Sequence, residues 1–234
     1  MTSRGVGESG SRGGEENGGV LSDWPTGRLA DSALRRLIGD VGTFSRAAME
    51  GYGLRPYQIE PARAIVESVE RGLGRSFAVV FSRQAGKDEA LAQTLAFLLL
   101  RRQFTGGEAV VAAPTFRPQA ALMRDRLLRR LALPAPAKLA IGGARLREGY
   151  AVEVGLASAR FLSAAPGANA RGQTADLLLV ANEAQDIRPE TWDAVFDPMA
   201  ASTNATTVFL GTVWSTETLL ARQMAFLAAQ ERED

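Results

Sequence analysis

Ser76-Phe77-Ala78-Val79-Val80-Phe81-Ser82-Arg83-Gln84-Ala85-Gly86-Lys87-Asp88 reads as a short apolar strand running into a polar loop that ends on Gly-Lys. The helical pattern Glu89 to Leu100 follows at once. Strand, loop and helix in this order are the setting of a phosphate-binding loop, in which backbone N–H groups cradle an anion and a lysine reaches it. Lys87 is one of only two lysines among 27 basic residues, and its compact ammonium enters a cradle that a forked guanidinium would not fit. The usual pattern has glycine at its first position and Ser or Thr after the lysine, where this chain has Phe81 and Asp88.

Composition bounds the rest. The 234 residues are 46% hydrophobic and 23% charged, which suits one globular α/β domain. A net charge of +1 does not bear on nucleic acid, because binding depends on where the arginines cluster. The chain has no cysteine and no histidine, so disulfides, thiol catalysis, Cys/His zinc sites and histidine acid/base chemistry are excluded together. Carboxylates, hydroxyls, lysine, arginine or a bound metal must do any chemistry. The longest apolar stretch, Ala90 to Leu100, is broken by Gln93 and Thr94 and is too short to span a bilayer. The N-terminus lacks the apolar centre of a signal peptide, so the expectation is a cytoplasmic protein without membrane contact.

Residues 1–22 are rich in Gly, Ser and Glu and read as a disordered tail. Residues 23–74 form a helical preface: two short amphipathic helices between Asp31 and Glu50, then a third from Pro56 to Glu70 with Ile59, Ala62, Ile65, Val66 and Val69 on one face. Residues 75–234 alternate. Strands are expected at Ser76 to Phe81, Ala109 to Ala113, Leu177 to Ala181 and Thr206 to Leu210. Helices are expected near Lys87 to Gln103, Arg117 to Leu131, Glu190 to Ala200 and Thr216 to Gln230. The pattern predicts an α/β fold with a mostly parallel sheet flanked by helices, and Arg145 to Ala164 adds short antiparallel strands. No internal repeat is present.

Three further segments carry chemistry. Leu177-Leu178-Leu179-Val180-Ala181-Asn182-Glu183 is a buried-strand run ending in an amide and a carboxylate. Glu183 there would orient or deprotonate a water attacking a γ-phosphate, or else simply start a helix. Leu54-Arg55-Pro56-Tyr57-Gln58 precedes the loop strand, where Gln58 would read an adenine edge while Tyr57 stacks, or would cap a helix. Ala112-Ala113-Pro114-Thr115 and Gly211-Thr212-Val213-Trp214 end two strands at the carboxyl edge, where open α/β sheets bind ligands.

Ser82-Arg83-Gln84-Ala85-Gly86-Lys87, Ala113-Pro114-Thr115, Asn182-Glu183-Ala184-Gln185-Asp186 and Gly211-Thr212-Val213-Trp214, in this order, resemble the ATPase domain of the large terminase subunit of tailed bacteriophages. The resemblance covers residues 54–225. It implies an additional-strand P-loop ATPase, akin to helicases and recombinases, that uses ATP and Mg²⁺. Such a protein assembles as a homo-oligomeric ring on the portal protein, works with the small terminase subunit, and drives double-stranded DNA into the procapsid from the host cytoplasm. It assigns Lys87 to the phosphates, Glu183 to catalysis, Gln58 to adenine, and Gly211 and Thr212 to coupling hydrolysis with movement; the rest of the loop from Ser82 to Asp88 and the stacking Tyr57 are the further nucleotide-binding candidates. Arg83 would stabilise the transferring phosphate within one subunit, and Arg171 would reach a neighbour's site.

The departures are specific. Where the family has a metal-binding Ser or Thr and an Asp, this chain has Asp88 and Asn182, which leaves the number of carboxylates unchanged. The expectation is a compensated swap, with Asp88 as the main anionic group on Mg²⁺ and Asn182 a neutral oxygen. A site that binds nucleotide without hydrolysing it is the competing reading. Arg124, Arg126, Arg129 and Arg130 fall on one helical stretch that would touch DNA phosphates without sequence preference. The nuclease domain that normally follows in this family has no room after residue 230, so no DNA cleavage is expected. A helicase-like translocase and a non-hydrolysing assembly module for portal or small subunit stand as alternatives.

Overall fold

The computed structural model describes residues 37–233 apart from 169 and 171. The expected tail, most of the first short helix and Arg171 lie outside the described residues. Helix α1 (Val41–Ala48) starts on Asp40, whose carboxylate accepts from the Thr43 N–H at 2.8 Å. The same carboxylate takes two hydrogen bonds from Arg63, at 2.7 and 2.9 Å, and these tie α1 to helix α2 (Pro56–Arg71). The Arg63 hydrogen bonds hold the Asp40 carboxyl well below the usual carboxylate range. Pro56 opens α2 where its missing N–H costs nothing, and Gly72, left-handed at φ 61°, ends it.

One seven-stranded sheet follows, in the order β1-β7-β6-β2-β5-β4-β3. Its strands are β1 (Ser76–Val80), β2 (Gly107–Ala113), β3 (Ala144–Arg147), β4 (Ala151–Val154), β5 (Ala157–Ser163), β6 (Leu178–Asn182) and β7 (Thr206–Gly211). β1, β7, β6, β2 and β5 run parallel; within 145–164, where antiparallel strands are expected, β3 and β4 add an antiparallel end but β5 joins β2 as a fifth parallel strand. The register sets Val80 beside Gly211 and Asn182 beside Leu210, so the loop after β1 and the glutamate after β6 leave the same edge with β7 between them. That intervening strand is the additional one.

Alternation along β2 shows why both faces are covered. Ala109, Val111 and Ala113 join the apolar layer containing Phe44, Phe97 and Leu95, while Val110 and Ala112 join the layer of Trp192, Phe196 and Phe209. Helix α3 (Lys87–Arg102) is buried on every side from Ala90 to Leu100, as expected for a helix clasped between α1, α2, helix α4 (Ala121–Leu131) and the sheet. Gln93 and Thr94, which interrupt its apolar run, find donor partners inside the fold: Gln93 donates to the Tyr52 carbonyl at 2.6 Å, though its own Oε1 is buried without a partner, and Thr94 donates to the Ala90 carbonyl at 2.8 Å. Trp192 is fully buried, stacked on Phe196 at 5.6 Å and tilted against Phe209 at 5.0 Å.

Several boundaries differ from those expected. The helix expected over 190–200 is a chain of short helical turns, because Pro198 has no N–H to continue a ladder and the last turn restarts at Asp197. The sequence reading passes over helix α5 (Pro134–Leu139), whose two prolines look like loop residues, although Pro134 occupies its first turn. Helix α6 (Leu219–Glu233) starts three residues later than 216, with the Thr218 hydroxyl accepting from the Ala221 N–H at 3.2 Å.

Candidate functional site

The loop after β1 turns left-handed at Gln84 (φ 60°) and at Gly86 (φ 81°), and Gly86 starts α3. No side chain caps that helix end, which leaves the first-turn N–H groups and the positive end of the helix dipole for an anion. From beneath, Gln58 fastens the loop: its Nε2 donates to the Ala85 carbonyl at 3.0 Å and to the Gly86 carbonyl at 3.1 Å. The Tyr57 hydroxyl donates to the Ala85 carbonyl as well, at 3.0 Å. A β-carbon on Gly86 would collide with the Gln58 amide, so glycine is required by the close approach as much as by the turn.

Lys87, the first residue of α3, meets Glu183 across the edge, with Nζ 2.6 Å from Oε1. Glu183 follows β6 in the left-handed region (φ 56°, ψ 48°), a conformation costing a non-glycine residue about 1 kcal/mol. Asp88 Oδ1 lies 3.4 Å from the same ammonium. Burial works against the charge on Lys87, but the hydrogen bond to Glu183 and the charge of Asp88 outweigh it and raise the pKa above the usual lysine value. Behind the pair, Asn182 is 3% exposed. Its Oδ1 is buried without a hydrogen-bond partner, and Asp88 Oδ1, also buried, has only the Lys87 ammonium near it. Asp88, Asn182 and Glu183 line one hollow, and a buried amide oxygen without a donor beside two carboxylates is a group that a divalent cation would satisfy.

Gln185 joins the carboxylate to the end of β7, a role the sequence reading does not assign. Its Nε2 donates to Glu183 Oε2 at 2.7 Å, and its Oε1 accepts from the Thr212 N–H at 3.1 Å. The Thr212 hydroxyl donates to the Phe81 carbonyl at 3.1 Å, and a β-carbon on Gly211 would strike Gln185 Oε1. Gly211 and Thr212 are thus tied to both the loop strand and the glutamate. A cleft of about 840 Å³ covers this arrangement, lined by the loop from Ser82 to Asp88, by Glu183 and Gln185, and by Thr212 and Trp214.

Two groups of residues expected to meet a ligand have protein partners in this structure. Gln58 is 6% exposed and its Oε1 accepts from the Arg55 N–H at 2.8 Å, so the amide caps α2 and holds the loop, and its N–H groups are not left for an adenine edge. Three of the four arginines of the α4 stretch are held by the protein itself, while Arg129 is exposed. Arg130 is buried against Glu89 at 2.6 and 2.8 Å, Arg126 adds a 3.2 Å contact to the same carboxylate, and Arg124 bonds Asp125 and the Gly149 carbonyl. Arg83 and Arg126 both line the cleft. The sequence places Arg126 on α4, and only the packing of α4 on α3 reveals that it borders the phosphate side. Thr115 accepts no such role: its N–H and hydroxyl donate to Gln119 Oε1 at 3.0 and 2.9 Å. Among the described residues no helix is long and apolar enough to cross a membrane.

No protein-family model matches the sequence, and no curated protein sequence does. Solved structures match. The large terminase of bacteriophage HK97 is similar over 84% of this chain with a TM-score of 0.65 and 17% identity, and the match spans 41% of that protein. The large-terminase ATPase domain of Thermus phage P74-26 is similar over 61% of this chain and 61% of that domain, at 22% identity and TM-score 0.48. A mutant of the same domain gives 21% identity and TM-score 0.49. With β7 set between β1, which leads into the Lys87 loop, and β6, which leads into Glu183, the chain has the fold of the part of a phage large terminase that it matches, the ATPase fold.

Proposed function

We propose that this chain is an ATPase that drives double-stranded DNA in a phage packaging machine, working as a ring of copies on the portal together with the small terminase subunit. The observation that carries the ATPase reading is the 2.6 Å contact between Lys87 at the start of α3 and Glu183 at the end of β6, below an open cleft. In this reading Lys87 exchanges Glu183 for the β- and γ-phosphates, while the uncapped end of α3 and the loop from Ser82 to Gly86 bind their oxygens. Losing Lys87 leaves Glu183 one free oxygen to orient the attacking water or take its proton, and Gln185 keeps the other oxygen in place. Arg83 faces the charge that develops on the transferring phosphate, and Arg171 serves a neighbouring copy.

The unpartnered Asn182 Oδ1 and the Asp88 carboxylate, released when Lys87 turns to phosphate, fit Mg²⁺, which they would hold directly or through water while it neutralises charge on the phosphate oxygens. Among the described residues there is no cluster of three or more acidic ligands. A cation completed by substrate phosphates needs only one or two protein groups. Movement would be coupled through Gln185, which connects Glu183 to Thr212 at the end of β7.

The test is Mg²⁺-dependent ATP turnover by the purified chain, with and without double-stranded DNA, over a range of protein concentrations. Turnover that rises with DNA and with protein concentration supports a motor whose site a neighbour completes. ATP bound but never hydrolysed, even with DNA and portal present, would replace it with a nucleotide-binding assembly module.

A further inference from the structure

Glu89 does not need Arg126. Both of its oxygens are occupied without it: Arg130 reaches Oε1 through Nε at 2.6 Å and Oε2 through Nη2 at 2.8 Å, and Gln93 donates to Oε1 at 2.8 Å. Arg126 adds one N–H to Oε2 at 3.2 Å, the longest of the four bonds. A guanidinium carries five N–H donors, and among the described residues this is the one hydrogen bond that the Arg126 side chain makes. That side chain is 35% exposed, against 7% for Arg130 on the same carboxylate. An ion pair so open to water is held weakly and is easily exchanged for a better partner.

The surroundings of Arg126 identify that partner. Among the described residues the cations lining the cleft are Arg83, Lys87 and Arg126. A smaller hollow of about 160 Å³ is bordered by Asp88, Asn182 and Glu183 together with Arg126 and Arg129 of α4. Arg83 does not border that hollow. It borders the outer flank of the loop instead, with Arg55 and Tyr57. The two cleft arginines therefore serve different parts of the site: Arg83 the flank of the loop, and Arg126 the end that holds the glutamate and the cation oxygens. A terminal phosphate must lie at the glutamate end if Glu183 is to act on the water that attacks it.

We propose that Arg126 is a phosphate-binding residue that leaves Glu89 for the terminal phosphate of a bound triphosphate, so that the site tells ATP from ADP within one chain. The proposal rests on the nucleotide-binding reading above and adds to it a cation from α4, beyond Lys87 and Arg83. The exchange costs the fold little, because Glu89 keeps Arg130 and Gln93. Once the terminal phosphate is gone, the guanidinium returns to Glu89.

Equilibrium binding of ATPγS and of ADP to the whole chain with Mg²⁺, followed by titration calorimetry, tests it in the wild type, Arg126→Gln and Arg126→Lys. Arg126→Gln should weaken ATPγS by about 10-fold, the order of one charge-assisted contact, and leave ADP within about 2-fold of the wild type. Arg126→Lys should recover part of the loss, because it keeps the charge and gives up the fork. The urea midpoint of Arg126→Gln should match that of the wild type, since so exposed a pair contributes little to stability. Equal losses for both nucleotides overturn the proposal and make Arg126 a support of the site as a whole. Unchanged binding of both overturns it too, and leaves Arg126 an ion-pair partner of Glu89 alone. A wild type that binds neither nucleotide overturns the nucleotide-binding reading itself, an outcome distinct from equal affinities in wild type and variant.

Discussion

Two glutamates flank the first turn of α3, and they are built in opposite ways. Glu183 has one ammonium on one oxygen and one amide on the other, at the wall of an open cleft. Glu89 receives both arms of Arg130, a third contact from Arg126 and a fourth from Gln93 at 2.8 Å. The Arg130 guanidinium lies over the Tyr52 ring at 3.5 Å from its centroid, and its side chain is only 7% exposed. Burial pushes the Glu89 carboxyl up, yet the hydrogen bonds from Arg130 and Gln93 outweigh it and hold it below the usual glutamate value. A charge with every partner position filled holds helices together. A charge with a partner it can exchange can do chemistry.

The contrast breaks most sharply at the exchangeable pair. Glu183→Gln should lower ATP turnover by about 10³-fold while leaving the unfolding midpoint nearly unchanged, since a general base contributes effects of that order. If turnover survives, the carboxylate is only structural. At the saturated pair the signs reverse. Glu89→Gln leaves Arg130 buried without its counter-charge and should cost about 3 kcal/mol in urea unfolding, and Glu89→Leu with Arg130→Met should restore most of it. A cost below about 0.5 kcal/mol would show the pair to be worth no more than a surface ion pair.

pH sharpens the same comparison. Because the folded Glu89 carboxyl is held below its ordinary value of 4.5, its contribution is complete above that pH and is lost as the pH falls through the lowered folded value. Acid titration of the urea midpoint should therefore show a loss of stability below about pH 4 that is absent from the Leu/Met double variant.

A smaller effect is expected at the link between the regions. Gln185→Ala should cut kcat about 10-fold and remove stimulation by DNA while ATP affinity holds, because the amide bonds Glu183 and the Thr212 N–H and so acts by positioning the carboxylate. An equal loss in affinity would place Gln185 in ground-state binding. The smallest effect concerns the cation oxygens. Asp88→Ser or Asn182→Asp alone should each weaken Mn²⁺ binding, followed by electron paramagnetic resonance, by several-fold, and the two together should weaken it less. Additive losses would dismiss the exchange of carboxylate between the two positions.

Much of this was legible in order along the chain. The apolar run 76–80, the loop ending on Lys87 and the run 177–183 carry their period and their terminating groups locally, so the sheet and the two ends of the exchangeable pair follow from pattern. The partners chosen by folding do not. Gln58 advertises an amide, but only the packing of α2 under the loop decides that the amide serves Ala85 and Gly86. Arg126 and Arg130 look like part of a basic face of α4 until Glu89, 41 residues before Arg130, is seen to take them. Gln185 stands in a quoted motif, yet its tie to Thr212 depends on β6 and β7 lying side by side. Sequence names the donors, whereas tertiary structure assigns their acceptors.

The claim at the centre is that Lys87 leaves Glu183 for phosphate, and ATP affinity in Glu183→Gln tests it most directly. Removing the carboxylate removes both the competitor for the ammonium and a negative charge facing the γ-phosphate. Equilibrium binding in the presence of Mg²⁺ should therefore tighten by several-fold over the wild type even as turnover disappears. Affinity that falls along with turnover would contradict the account, because it would mean that Glu183 holds the site together and does not act on what enters it.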